Sequence, residues 1–225
     1  MKNLELSFKN NPKIKDDLIA RMDKHIELEN LLQRAVGKDG KGCTVWCALN
    51  NGSMHYGYNP GAFPSILGLP EWLALLQDVI FEGLSVEDSK QFSSEWVRAI
   101  PVGKDLEPVK WKFCAFVLKE NIERVLLLDI SEELKKEIIG AIKQCLVVHE
   151  RSIETGIWDE SAERSAVSAA WSAARSAEMS AVWSAESAVW SAERSAEGAV
   201  SAERSAVSAV FRRYADVLID LLKNA

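Results

Sequence analysis

From Ser161 to Ser208 a Ser-Ala pair recurs at 161, 165, 168, 172, 176, 180, 184, 187, 191, 195, 201, 205 and 208, with Gly198-Ala199 filling the one gap. Thirteen intervals in 47 residues give a repeat of 3.62 residues, the turn of an α-helix. The stretch 157–223 has no proline and a single glycine. As one helix its 67 residues would span about 100 Å, whereas a 150-residue globule is only about 35–40 Å across. The helix must therefore fold back or project and find a partner, and Gly198 is the expected place for a kink or hairpin. A period above 3.5 predicts no left-handed supercoil.

Small side chains let helices approach closely, so dispersion contacts replace large apolar knobs. Serine hydroxyls bond back to the carbonyl four residues earlier, which allows the stripe to be partly buried. Trp158, Trp171, Trp183 and Trp190 stand off the stripe as bulky anchors. Two readings stay open: the tail packs on its own domain, or it joins copies of the chain. The second puts Ser172, Ala173, Ser176, Ala177, Ser180, Ala181, Trp183 and Trp190 at an interface and predicts a homo-oligomer.

Hydrophobic residues make up 48% of the 225, enough for a core. The net charge of -6 argues against nucleic acid or an anionic membrane as partner, since both need a basic surface. In the tail, seven Glu nearly cancel six Arg between 160 and 213, leaving no positive field. No apolar leader follows the opening residues and no run of 18 apolar residues occurs, so neither a signal peptide nor a membrane span is expected. Four cysteines without a secretory signal read as reduced thiols in the cytoplasm.

Pro12 opens a helical pattern, Ile14, Leu18, Ile19, Met22, Ile26 and Leu32, that Gly37 is expected to end. CTVWCAL at 43–49 is a short apolar segment, and 50–68 reads as a long loop. Helices are expected from Pro70 to about Leu84, over 87–100, through the apolar stretch 106–119, and from Ser131 to about Arg151. ERVLLLDI at 123–130 is the one strand candidate. The sequence thus predicts an all-α protein: a helical domain over 1–155, then a Ser-Ala helix or hairpin over 156–225.

Three chemistries are open in the first domain. Cys43 and Cys47 are four apart, as are Cys145 and His149, a Cys3His set suited to tetrahedral zinc if the pairs faced one another. Structural zinc usually has tighter knuckles, however, so buried apolar cysteines are the plainer reading and no metal or other cofactor is expected. Cys43 follows Gly42 at an expected helix start, where a thiol pKa falls; His55 could then act as base, with Glu82 or Asp78 as orienter. Finally, the loop 50–64 gathers His55, Tyr56 and Tyr58, groups that with Cys43 and Cys47 could line a small-ligand site. No phosphate loop or paired-acid motif appears, so catalysis is left open and a binding or interaction protein is expected.

The stretches GKGCTVWC at 40–47, LGLPEWLALL at 67–76, DVIFEGL at 78–84, AIPVGKDL at 99–106 and KWKFCAFVL at 110–118, with His55 between them, carry a resemblance. Together they resemble a family of uncharacterised phage, prophage and bacterial proteins, many with an Ala-rich helical tail of variable length. The resemblance covers most of residues 20–120 and implies a shared fold and a mobile-element association; that phage context adds a host protein to the small molecule as an expected partner. It implies no activity. The family pattern usually has a small residue where Trp46 stands.

Overall fold

The computed structural model describes residues 6–35, 37, 40–50, 57–159 and 196–225, with backbone alone for 196–207. The fold is all-α: among the described residues there is no strand, only an isolated bridge between Leu31 and Gly42. The chain divides into two compact units, one holding residues 1–110 with 202–225, the other 111–201. The compositional boundary after residue 155 marks where the Ser-Ala tail begins; the units divide differently. No described helix is long and apolar enough to cross a membrane.

In the first unit the chain enters through a 3-10 turn, Ser7–Asn10, in which Phe8, Lys9 and Asn10 all take left-handed backbone angles. Left-handed residues other than glycine cost free energy, and Ser7 supplies offsetting bonds. Its N–H donates to the Lys104 carbonyl, its carbonyl accepts from Gly103 N–H, and its hydroxyl joins Pro101 and Lys104. Asn11 then caps α1, Pro12–Glu27.

α1 ends ten residues before the expected stop at Gly37. Leu28 closes it, and Glu29 and Arg34, at φ 52° and 59°, turn the chain back so that Leu32 N–H reaches the Gly42 carbonyl. Leu32 consequently stays 43% exposed rather than extending the helical face.

α2, Thr44–Leu49, is the CTVWCAL segment, and every residue in it is buried. The expected loop after it contains, from residue 57, a 3-10 turn at Pro60–Ala62 and α3, Phe63–Leu67, which Gly68 ends at φ 64°. α4, Glu71–Gly83, follows Pro70, and Ser85 caps α5, Val86–Ala99. α1 packs on α2 and α5, and α4 packs on α2 and α5, so α2 sits at the centre of a small bundle. Phe63, Leu73, Ile80, Phe92, Trp96 and Ile100 fill the core around it.

α6, Glu107–Leu126, overturns the strand candidate. ERVLLLDI is helical through Leu126 and then turns, with Leu127 86% exposed. Leucine and arginine are good helix formers, and a lone strand would have no partner for its backbone. Ser131 caps α7, Glu132–Thr155, by accepting from Leu134 N–H, and Gly156 ends it at φ 68°. In the second unit Lys119 pairs with Glu150 at 2.8 Å, and Trp158 stacks with Trp111 and meets His149 at ring separations of 6.4 and 5.1 Å.

α8, Ala196–Lys223, runs through Gly198 unbroken, which removes the hairpin turn from that residue. Its far end belongs to the first unit: Ala215, Leu218, Ile219 and Leu222 are buried, and Arg212 pairs with Asp88 at 3.4 Å. The proposed interface residues Ser172, Ala173, Ser176, Ala177, Ser180, Ala181, Trp183 and Trp190, and the course of the Ser-Ala segment over 160–195, lie outside the described residues.

Candidate functional site

A buried helix as short as α2 must have its ends satisfied from outside. Cys43 stands at its N-cap position and donates its N–H to the Ala35 carbonyl. At the other end two basic residues one turn apart on α1 meet its carbonyls: Arg21 donates to Ala48, and His25 Nε2 lies 3.2 Å from the Asn50 carbonyl.

The second wall is the polar edge of α4, where Asp78 and Glu82 are one turn apart. Asp78 is buried and accepts from Thr44 Oγ1 at 3.4 Å and from the side chains of Cys43 and Tyr58. Glu82 accepts the Arg34 N–H through both carboxylate oxygens, at 2.9 and 2.7 Å. Gln33 donates to the Phe81 and Leu84 carbonyls at 2.7 and 2.9 Å. α4 thus anchors the turn before α2 through Glu82 and its own C-terminal carbonyls, and the start of α2 and Tyr58 through Asp78.

The electrostatics follow from this arrangement. Burial, then the Asp78 charge and hydrogen bond, push the Cys43 thiol up to about 12. Burial likewise raises Cys47, whose Sγ lies 3.5 Å from the Gly42 carbonyl. Tyr58 is 42% exposed, yet its hydroxyl lies against Asp78, and desolvation together with that carboxylate raises it to about 12. Desolvation raises Glu82, and the Arg34 N–H draws it back down.

Chemically this is a carboxylate surrounded by neutral donors, not a thiol activated for attack. The expectation of a lowered Cys43 pKa is reversed: the Trp46 and Val45 N–H groups at the helix start do pull it down, but burial and then the Asp78 carboxylate outweigh them. Cys43, Cys47, Tyr58 and Glu82 do share one neighbourhood, with Glu82 engaged to the Arg34 backbone rather than to a base. His55 and Tyr56 lie outside the described residues. None of the four cysteines is in a disulfide, and Cys43 and Cys47 belong to one unit while Cys145 and His149 belong to the other. Among the described residues no cluster of three or more His, Cys, Asp or Glu is placed to hold a metal ion.

Sequence reasoning missed Arg21, His25 and Thr44 as members of this neighbourhood. The four-residue spacing of Arg21 and His25 on one face of α1 was the available signal. Compared with protein-family models, with curated proteins and with solved structures, the chain finds no match.

Proposed function

We propose that the chain is a non-catalytic binding protein that assembles into a homo-oligomer through its Ser-Ala segment and turns its 40–64 region to a small molecule or a host protein. The observation that carries the non-catalytic reading is the Cys43 thiol, buried and donating to Asp78. A thiol near 12 has a thiolate fraction at neutral pH about a thousandfold below one at the ordinary value of 9.0. Tyr58, rooted on Asp78 yet 42% exposed, gives that region a fixed aromatic group at the surface.

The assembly reading rests on the 3.62-residue repeat and on what flanks it. Trp158 is held by Trp111 and His149 on one side, and the end of α8 is buried on the other. The segment is therefore tied to the folded chain at both ends. Four cysteines outside any disulfide suit a reducing cytoplasm, and the family resemblance adds a phage or prophage setting.

The test is the rate of iodoacetamide alkylation of the intact chain at pH 7.5, mapped to each cysteine. This reading expects Cys43 to react far more slowly than the partly exposed Cys114. A Cys43 that reacts as fast as an ordinary free thiolate would instead favour a thiol enzyme centred on Cys43, Cys47 and His55.

A further inference from the structure

His25 occupies the seam between α1 and α2. Its Nε2 lies 3.2 Å from the Asn50 carbonyl, which only accepts, so Nε2 carries the hydrogen and Nδ1 holds the bare lone pair. Nδ1 is buried without a hydrogen-bond partner among the described residues. The ring stands edge-on to Trp46 at 5.6 Å, and Gly37 and Gly42 pack against the same indole. His25, Trp46 and Asn50 thus form one cluster at the end of α2.

This cluster fits a neutral imidazole and no other form. A second proton must go to Nδ1, where it would make a buried cationic N–H with no acceptor among the described residues. The charges acting on the ring are Arg21 and Lys24 of its own helix, both positive. α2 presents to it the neutral Trp46 and Asn50, while the charged side chains Glu87, Lys90 and Arg98 of α5 meet α1 beside Asp23 and Glu27. Desolvation and the two cations lower the pKa of His25, against the pull of its bond to Asn50.

We propose that His25 is an acid-sensitive latch on α2: a proton at Nδ1 drives the ring from the seam, uncaps the Asn50 carbonyl and loosens the short helix that carries Cys43 and Cys47. The sign follows from linkage. With the folded value under the unfolded 6.5, the closed state is fully favoured above that pH and loses free energy as pH falls through it. The latch is independent of the binding reading, since its test needs no ligand.

The test measures reaction of the intact chain with 4,4′-dithiodipyridine at pH 7.5 and pH 5.0, each rate divided by that of the urea-unfolded chain at the same pH. Peptide mapping separates Cys43 and Cys47 from Cys114 and Cys145, and circular dichroism follows helicity. The expected result is a drop in Cys43 and Cys47 protection of about tenfold at pH 5.0 with helicity retained, and no drop in His25→Gln, which can still donate to Asn50 but does not titrate. Equal drops in both chains, no drop in either, or a general loss of helix would overturn it. An NMR titration of the native histidines is a second check that needs no variant: His25 must titrate below 6.5, and a value at or above that overturns the latch.

Discussion

Gly37 lies against the indole of Trp46 so closely that a Cβ on Gly37 would run into Nε1 and Cδ1 of the ring. Gly42 approaches the same side chain from its own direction, its Cβ position 2.8 Å from Cγ. Gly37 and Gly42 of the GKDGKG stretch thus make room for the Trp46 indole.

Gly37→Ala therefore meets two penalties, the collision and a φ of 97°. Together these should cost about 2–4 kcal/mol. In a Trp46→Ala background the collision term vanishes, so the same change should cost about 1–3 kcal/mol less. Urea unfolding of the four chains measures the coupling; additive losses would mean that the indole is not what excludes a side chain at Gly37.

Asp78→Asn removes the carboxylate shared by Cys43, Thr44 and Tyr58. Both raised groups should titrate lower in the variant, Tyr58 by absorbance of its phenolate and Cys43 by alkylation against pH. Neither should return fully to its ordinary value, because burial is the larger cause at each. Unchanged titrations would separate Asp78 from both.

Glu29 is exposed and sits at φ 52° just past the end of α1. Glycine adopts that conformation without a Cβ penalty, so Glu29→Gly should stabilise by about 1 kcal/mol, a rise of about 2–4 °C in Tm for a chain of this size. A lowered Tm would place a compensating contact at Glu29.

The C-terminal helix is part of the first unit's core, not a free end. Leu218 is fully buried, and a Cβ on Gly83 would strike the Phe211 ring. Leu218→Ala should cost about 2–5 kcal/mol, read as a lowered unfolding midpoint. Cutting the chain after residue 155 would remove these residues too, so assembly has to be probed by substitution within the full chain.

What the sequence discloses and what it hides divide along physical lines. The helices α4 and α7 were legible because their apolar periodicity agrees with a start signal, Pro70 or Ser131, and α5 because Phe92, Trp96 and Ile100 share one side before Pro101. The end of α1 was not, since nothing in composition marks Glu29 and Arg34 for left-handed conformations. ERVLLLDI misled because a short apolar run reads equally as strand or buried helix. At the site, residue identities were largely legible, with Cys43, Cys47, Tyr58, Asp78 and Glu82 all singled out. The sign of the chemistry was not: only the fold buries the Cys43 thiol and brings a carboxylate 35 positions away in sequence against it, together outweighing the effect expected of a helix start.

The most direct measurement is native mass spectrometry of the intact chain, purified without chelator, beside the variant Ala177→Lys/Ala181→Lys. Two cations set into the Ser-Ala stripe should separate copies that meet there while leaving the two described units intact. The account predicts a homo-oligomer for the native sequence and a lower mass, with unchanged helicity, for the variant. A native chain that is monomeric at micromolar concentration, or a variant that assembles as before, would contradict it.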